Sequence, residues 1–170
     1  MNEQQTTETI HLQSLWPLVA DDAVDRAMNT IIPEAERLVR DLFERYRKDH
    51  KLERSQFTNL VTVALETNSV GVVLDYVRYQ IGRDTSGKGW RIPLGQTSFC
   101  AQLLEQLEGL RQRAGGLIDG AIRDFRDFRI EPSNRATEEM QVWMTLVRRY
   151  IGSLHRNFVY YEAKYKEGQP

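Results

Sequence analysis

Residues 69–83, Ser69-Val70-Gly71-Val72-Val73-Leu74-Asp75-Tyr76-Val77-Arg78-Tyr79-Gln80-Ile81-Gly82-Arg83, decide between a β and an α reading of this chain. The opening run, Val70 to Leu74, is rich in β-branched residues and would suit a buried strand. The apolar positions beyond it do not alternate. Val70, Val73, Leu74, Val77 and Ile81 fall at i, i+3, i+4, i+7 and i+11, which is one stripe of an amphipathic helix. Ser69 stands where an N-cap belongs, and Gly82 where the helix would stop. The same argument resolves the VTVAL run upstream, because Phe57, Leu60, Val61, Ala64 and Leu65 share one helical face and Ser55 is a fair N-cap for them. The connection between the two helices is short, so they should be antiparallel neighbours.

Working outward, Pro33 suits a first helical turn, and EAERLVRDLFERYRKDH after it places Leu38, Leu42, Phe43 and Tyr46 at helical spacing. Thr97 or Ser98 can start FCAQLLEQLEGLRQR, and Gly115-Gly116 predicts a break or kink before LIDGAIRDFRDFRI. Glu131-Pro132-Ser133-Asn134 reads as a turn. A last helix, RATEEMQVWMTLVRRYIGSLHRNFVYYEAKYK, carries Trp143, Val147, Tyr150, Leu154, Phe158, Tyr161 and Tyr165 on one stripe. Gly152 within it costs about 1 kcal/mol relative to alanine, which suits a close neighbour or a bend. The fold class expected is all-α: a single domain over residues 1–170, a bundle of five to seven helices with a long C-terminal helix. Residues 1–15 form an acidic N-terminal segment expected to be flexible, and residues 84–95 a basic, glycine-containing loop.

A chain of 170 residues that is 41% hydrophobic can bury one real core. The N-terminus lacks the basic start and apolar run of a signal peptide, and no stretch nears the ~18 apolar residues of a membrane span. The single Cys100 lies among apolar residues, as a buried, inert thiol would. A reducing cytoplasm and no membrane are therefore expected. The net charge of −1 conceals an asymmetry. Residues 1–36 hold seven acids against Arg26 alone, net −6, which leaves +5 on residues 37–170. Such a division suits an anionic partner or a neighbouring subunit, although a solvated helical surface would also show mixed charge.

The loop GRDTSGKG, residues 82–89, fits the G-x-x-x-x-G-K start of a phosphate-binding loop. Gly89 then stands where a magnesium-binding hydroxyl is required, no strand precedes the loop, and Trp90-Arg91-Ile92-Pro93 cannot open a helix. A nucleotide pocket of that kind is therefore not expected, and Lys88 and Arg91 remain as cations on a flexible loop. His11, His50 and His155 fall in no metal-ligand spacing and read as surface or packing residues. Asp21, Asp22 and Asp25, or Asp124 and Asp127, could align carboxylates, but no Glu-x-x-His partner accompanies them. Interleaved Arg123, Arg126 and Arg129 make local ion pairing the simpler account of the second pair. No catalytic residue, metal ligand or cofactor is assigned, so no enzyme is expected.

The basic and aromatic positions form a more coherent set. Tyr76, Arg78, Tyr79, Gln80 and Arg83 lie off the apolar stripe of their helix, with Lys88 and Arg91 following. Arg149, Arg156, Tyr160 and Lys164 succeed one another at intervals of seven, four and four, and Arg45, Arg47, Lys48, Lys51 and Arg54 lead into Gln56. Arginine and lysine neutralise phosphates, while tyrosine faces stack on exposed bases of any identity. Half-buried tyrosines and solvated cations are the plainer alternative for each group.

Ser55-Gln56-Phe57-Thr58-Asn59-Leu60, the run Leu74 to Arg83 that closes in Ile81-Gly82-Arg83, and Leu154-His155-Arg156-Asn157-Phe158-Val159-Tyr160-Tyr161 together resemble the small helical subunit of type III CRISPR interference complexes. The resemblance covers about a third of the chain. It implies a non-catalytic protein, present in several copies, that stacks within a ribonucleoprotein while other subunits cut. Its expected partners are the guide RNA (crRNA), the target single-stranded RNA, copies of itself and other effector-complex subunits. Carried over, the Gln56 helix start, Arg78, Arg83 and the basic row of the last helix, Arg149, Arg156, Tyr160 and Lys164, would face RNA without sequence specificity; Arg54, Lys88 and Arg91 join the expected RNA-facing set on their charge alone. The 84–95 loop and the acidic first 36 residues are longer than the family pattern, so no role transfers to them. The competing expectation is a helical adaptor that binds only protein, offering the Trp143 to Tyr165 stripe as an exposed surface.

Overall fold

The computed structural model describes residues 14–166, and the His11 expectation and nearly all of the acidic tail lie outside them. Five helices follow one another: α1 (Trp16–Tyr46), α2 (Arg54–Glu66), α3 (Val70–Arg83), α4 (Phe99–Asp124) and α5 (Arg135–Lys166). A single 3-10 turn, Arg126–Phe128, follows α4. A two-residue antiparallel pair, β1 (Pro93–Leu94) with β2 (Thr97–Ser98), interrupts the long loop; Pro93 lies opposite Ser98, and Leu94 opposite Thr97. Gly95 in its turn has φ +70°, a left-handed conformation that favours glycine.

The bundle is organised around α5, which packs along α1, α2 and α4. Its whole stripe, Trp143, Val147, Tyr150, Leu154, Phe158 and Tyr161, is buried, and Tyr165 packs against the same core. That burial removes the stripe from the exterior, so an adaptor surface cannot be built on it. The polar tips of these aromatics have partners. Trp143 Nε1 donates to the Leu107 carbonyl at 2.9 Å, Tyr150 donates to Gln106, and Tyr161 donates to Glu36 at 3.0 Å. Arg148 donates to the Ala64 and Thr67 carbonyls at 2.9 and 2.8 Å and so caps the C-terminal end of α2, where a cation is favoured.

Three local expectations are corrected. Pro33 does not start a helix: α1 begins at Trp16 and runs through it. An interior proline costs about 3 kcal/mol. Ile31 and Leu38, fully buried on the opposite face, each return about 1.5–3 kcal/mol, and Pro33 itself faces water. Gly115-Gly116 likewise does not break α4, whose stripe of Leu107, Leu110, Ala114, Ile118 and Ala121 is buried continuously across the pair. The N-cap of α2 is Glu53, not Ser55. Its carboxylate accepts from the Gln56 backbone, and the Gln56 side chain accepts from the Glu53 N–H at 3.0 Å, a reciprocal capping box. Asn134, in the expected turn, caps α5 by accepting from Thr137 N–H at 3.0 Å.

Candidate nucleic-acid interface

The 84–95 loop is built around one carboxylate. Asp84 Oδ1 accepts from the Ser86 N–H and hydroxyl and from the Gly87 N–H, and Oδ2 accepts from the Gly89 and Arg91 N–H groups, all within 2.8–3.1 Å. These amides form the anion-binding nest that a G-x-x-x-x-G-K loop suggests, and the anion in it is the chain's own Asp84. Gly87 has φ +66°, and a Cβ on Gly89 would lie 3.2 Å from the carboxylate, so both glycines are required for the wrap. Burial pushes the Asp84 carboxyl up, but the hydrogen bonds from Arg91, Ser86, Gly89 and Gly87 outweigh it and hold the group below the usual range. Beyond the nest, Trp90, Ile92 and Leu94 turn into the core. The Trp90 and Ile92 carbonyls accept from Cys100 and Phe99, two of the amides that the start of α4 leaves without helical partners. The loop is therefore anchored rather than flexible, while the side chains of Lys88 and Arg91 stay exposed.

Against this loop lies a cleft of about 760 Å³, whose other walls are α2, α3 and the connection between α1 and α2. Gln56 and Asn59 face it from α2, Tyr76, Gln80 and Arg83 from α3, and His50 from the connection. The spacings i, i+3 on α2 and i, i+4, i+7 on α3 bring each set to one helical face. Tyr76 is half-buried; burial pushes its hydroxyl up, against the Arg83 charge and a hydrogen bond with Gln80. Gln80 is itself only 8% exposed. Burial lowers the pKa of His50, so the ring is neutral at pH 7, and it meets Phe43 edge-on at 4.9 Å.

Four buried polar side-chain atoms among the described residues lack a hydrogen-bond partner, and three belong to residues lining this cleft: both ring nitrogens of His50 and Nε1 of Trp90. The Leu52 backbone lies near enough to His50 to oppose part of its downward shift, without a bond of good geometry. Unsatisfied buried groups are costly to a fold, and three of the four lie in side chains that wall this cleft.

The ten sequence-nominated positions are distributed as follows. Gln56 and Arg83 share the cleft, and the Arg83 guanidinium lies over the Tyr79 ring at 5.4 Å, with Tyr79 58% exposed. Arg54 and Arg156 converge on His155, which burial and these two charges hold below its ordinary pKa. Arg54 also pairs with Glu162 at 2.7 Å. Arg78 reaches across to Glu108 of α4 at 2.8 Å, and Arg149 pairs with Asp25 of α1. Tyr160 is exposed, and the Lys164 ammonium lies 5.9 Å from the Tyr161 ring. Lys88 and Arg91 stand on the loop, whose Lys88 carbonyl accepts from Lys51 N–H at 2.8 Å.

His50, Asn59 and Trp90 were not singled out for this face. Asn59 could have been found, since it follows Gln56 by one helical turn; His50 and Trp90 arrive from connections with no periodicity to place them. Cys100 is buried as expected, its thiol pushed by burial up to about 12. Among the described residues no group of three or more His, Cys, Asp or Glu side chains could hold a metal ion, and no helix is long and apolar enough to cross a membrane. Asp124 and Asp127 make no ion pair with Arg123, Arg126 or Arg129, so the local pairing expected there is not formed. Comparison of the chain with family models, curated proteins and solved structures finds no match.

Proposed function

We propose that this chain is a non-catalytic, RNA-binding small subunit of type III CRISPR effector complexes, present in several copies and following guide and target RNA by charge and shape. The observation that carries the reading is convergence. The segments Ser55 to Leu60 and Leu74 to Arg83, which bear the resemblance, meet across one polar cleft, with Arg83 and the exposed face of Tyr79 beside it. A flat aromatic backed by a guanidinium suits an unpaired base beside a phosphate. On the α2–α5 side, Arg54 and Arg156 add a second cationic pair, with Tyr160 exposed one turn further on. The ion pairs of Arg54, Arg78 and Arg149 with carboxylates are solvent-exposed. Exposed pairs are worth at most about 1 kcal/mol, so a phosphate can displace the carboxylate at little cost.

Phosphate-dominated binding has a measurable signature. The logarithm of the affinity for single-stranded RNA should fall steeply with the logarithm of salt concentration, and Arg83→Ala and Arg156→Ala should each flatten that slope by about 1. An RNA affinity and slope unchanged in the double variant, measured in the assembled complex, would remove this surface from the function. Recovery of the native protein with small RNA and several larger proteins is the expected companion result.

A further inference from the structure

We propose that the cleft between α2, α3 and the 84–90 loop receives a single nucleobase, with the phosphate attached to it held at the rim by Arg83 and Lys51. The inference rests on the RNA reading for the source of that base, and it adds a base-dependent contact to a surface otherwise expected to sense only charge and shape.

Size and chemistry carry it. The cleft's volume, about 760 Å³, falls within the roughly 300–1,000 Å³ of small-ligand sites. Its lining is neither apolar nor strongly charged. The cations Lys51 and Arg83 are offset by Glu53 and Asp84, and the Asp84 oxygens are already occupied by the loop amides. A cluster of phosphates therefore finds no net positive charge inside. What the interior offers is neutral donors and acceptors. The Asn59 carboxamide makes no hydrogen bond within the described chain, and Gln56 has only its oxygen engaged. The edge of a base is itself a row of alternating donors and acceptors, and carboxamides are the side chains that match such a row two bonds at a time. An apolar ligand would leave all of these unsatisfied, and water-filled space would leave them without a fixed partner.

The test uses the full chain, a short single-stranded oligoribonucleotide, and the same strand with every base removed. Base-bearing RNA should bind about tenfold more tightly than the abasic strand. Asn59→Leu should remove most of that difference while leaving the salt slope intact. Asn59 is an exposed helical position and leucine a better helix former, so that variant retains the fold. Equal affinity for the two strands, or a difference that survives the substitution, overturns the base pocket while RNA binding by charge stands. Should neither strand bind, adenosine, guanosine, cytidine and uridine monophosphates are titrated against thermal stability. A shift with any of them that the Asn59→Leu variant abolishes keeps the pocket as a free-nucleotide site and removes the RNA reading. No shift with any of the four removes both.

Discussion

The α5 stripe and the α2–α3 cleft are built from similar residues and treat their polar atoms in opposite ways. In the stripe, Trp143, Tyr150 and Tyr161 are buried, and each N–H or O–H donates to a neighbour. In the cleft, Trp90 and His50 are no less committed to aromatic packing, against Phe57 at 5.6 Å and Phe43 at 4.9 Å, yet their nitrogens go unpaired. The same chain that gives these α5 aromatics their partners leaves three of its four unpaired buried atoms in residues of the cleft wall; the fourth is Trp16 Nε1 on α1. Folding accounts for the first region completely. It does not account for the second, and that is why function is sought there.

The sharpest way to break the comparison lies toward the C-terminal end of the stripe. Phe158 is fully buried and stacks on Phe57 at 4.2 Å while touching Phe43 and His50. Phe158→Ala should cost about 3–5 kcal/mol in urea unfolding, since it deletes the ring and leaves a cavity shared by α1, α2 and α5. A loss below about 1 kcal/mol would mean that α5 is not the spine of the bundle.

Next in size is the loop that walls the cleft. Asp84→Ala removes the acceptor for four backbone amides and a hydroxyl, and should cost about 1–3 kcal/mol, with Trp90 fluorescence shifting to the red as the loop loosens. Asp84→Asn should cost less, because one acceptor oxygen remains. Because the folded carboxyl is held below its ordinary value, the contribution is fully present above about pH 4 and is lost as pH falls through the folded pKa. Acid unfolding of the wild type should therefore be steeper below pH 4 than that of Asp84→Ala.

How far these features were legible follows from the kind of signal each leaves. Helices α3 and α5 have regular stripes and clear boundaries, and both were readable: Ser69 holds the N-cap position of α3, though without a side-chain cap bond, and Asn134 caps α5 through its side chain. Pro33 and Gly115-Gly116 misled because local propensity was weighed without the burial of the opposite face. The 84–98 segment was unreadable in detail. Trp90, Ile92 and Leu94 alternate, yet they pack beneath a loop, and nothing local reveals that Asp84 supplies the anion for the glycine-rich turn. Gln56, Tyr76, Gln80 and Arg83 were visible as residues, but their meeting depends on how α2 and α3 pack.

A paired substitution measures the contrast itself. Trp143→Phe and Trp90→Phe remove comparable area from the core, but only the first also removes a made hydrogen bond. Trp143→Phe should therefore be less stable than Trp90→Phe by about 1 kcal/mol in matched urea titrations. Equal losses would mean that Trp90 Nε1 finds a hydrogen-bond partner in solution that the structure does not show.

The smallest effect on stability is the most telling for the site. His50→Phe keeps a flat ring against Phe43 and Phe158 and deletes two unpaired nitrogens, so at pH 8 it should leave stability unchanged or raise it by up to about 1 kcal/mol. The sign should grow on acidification. Burial lowers the folded-state pKa of His50 below its ordinary 6.5, so near pH 6 the unfolded chain binds the proton more readily and the wild type loses stability as pH falls. The phenylalanine variant lacks that loss and should gain on the wild type between pH 7 and pH 5, against a background in which His155, also lowered, titrates in both proteins. A residue that the fold would be no worse without, set at the mouth of a polar cleft, is held there by something other than folding.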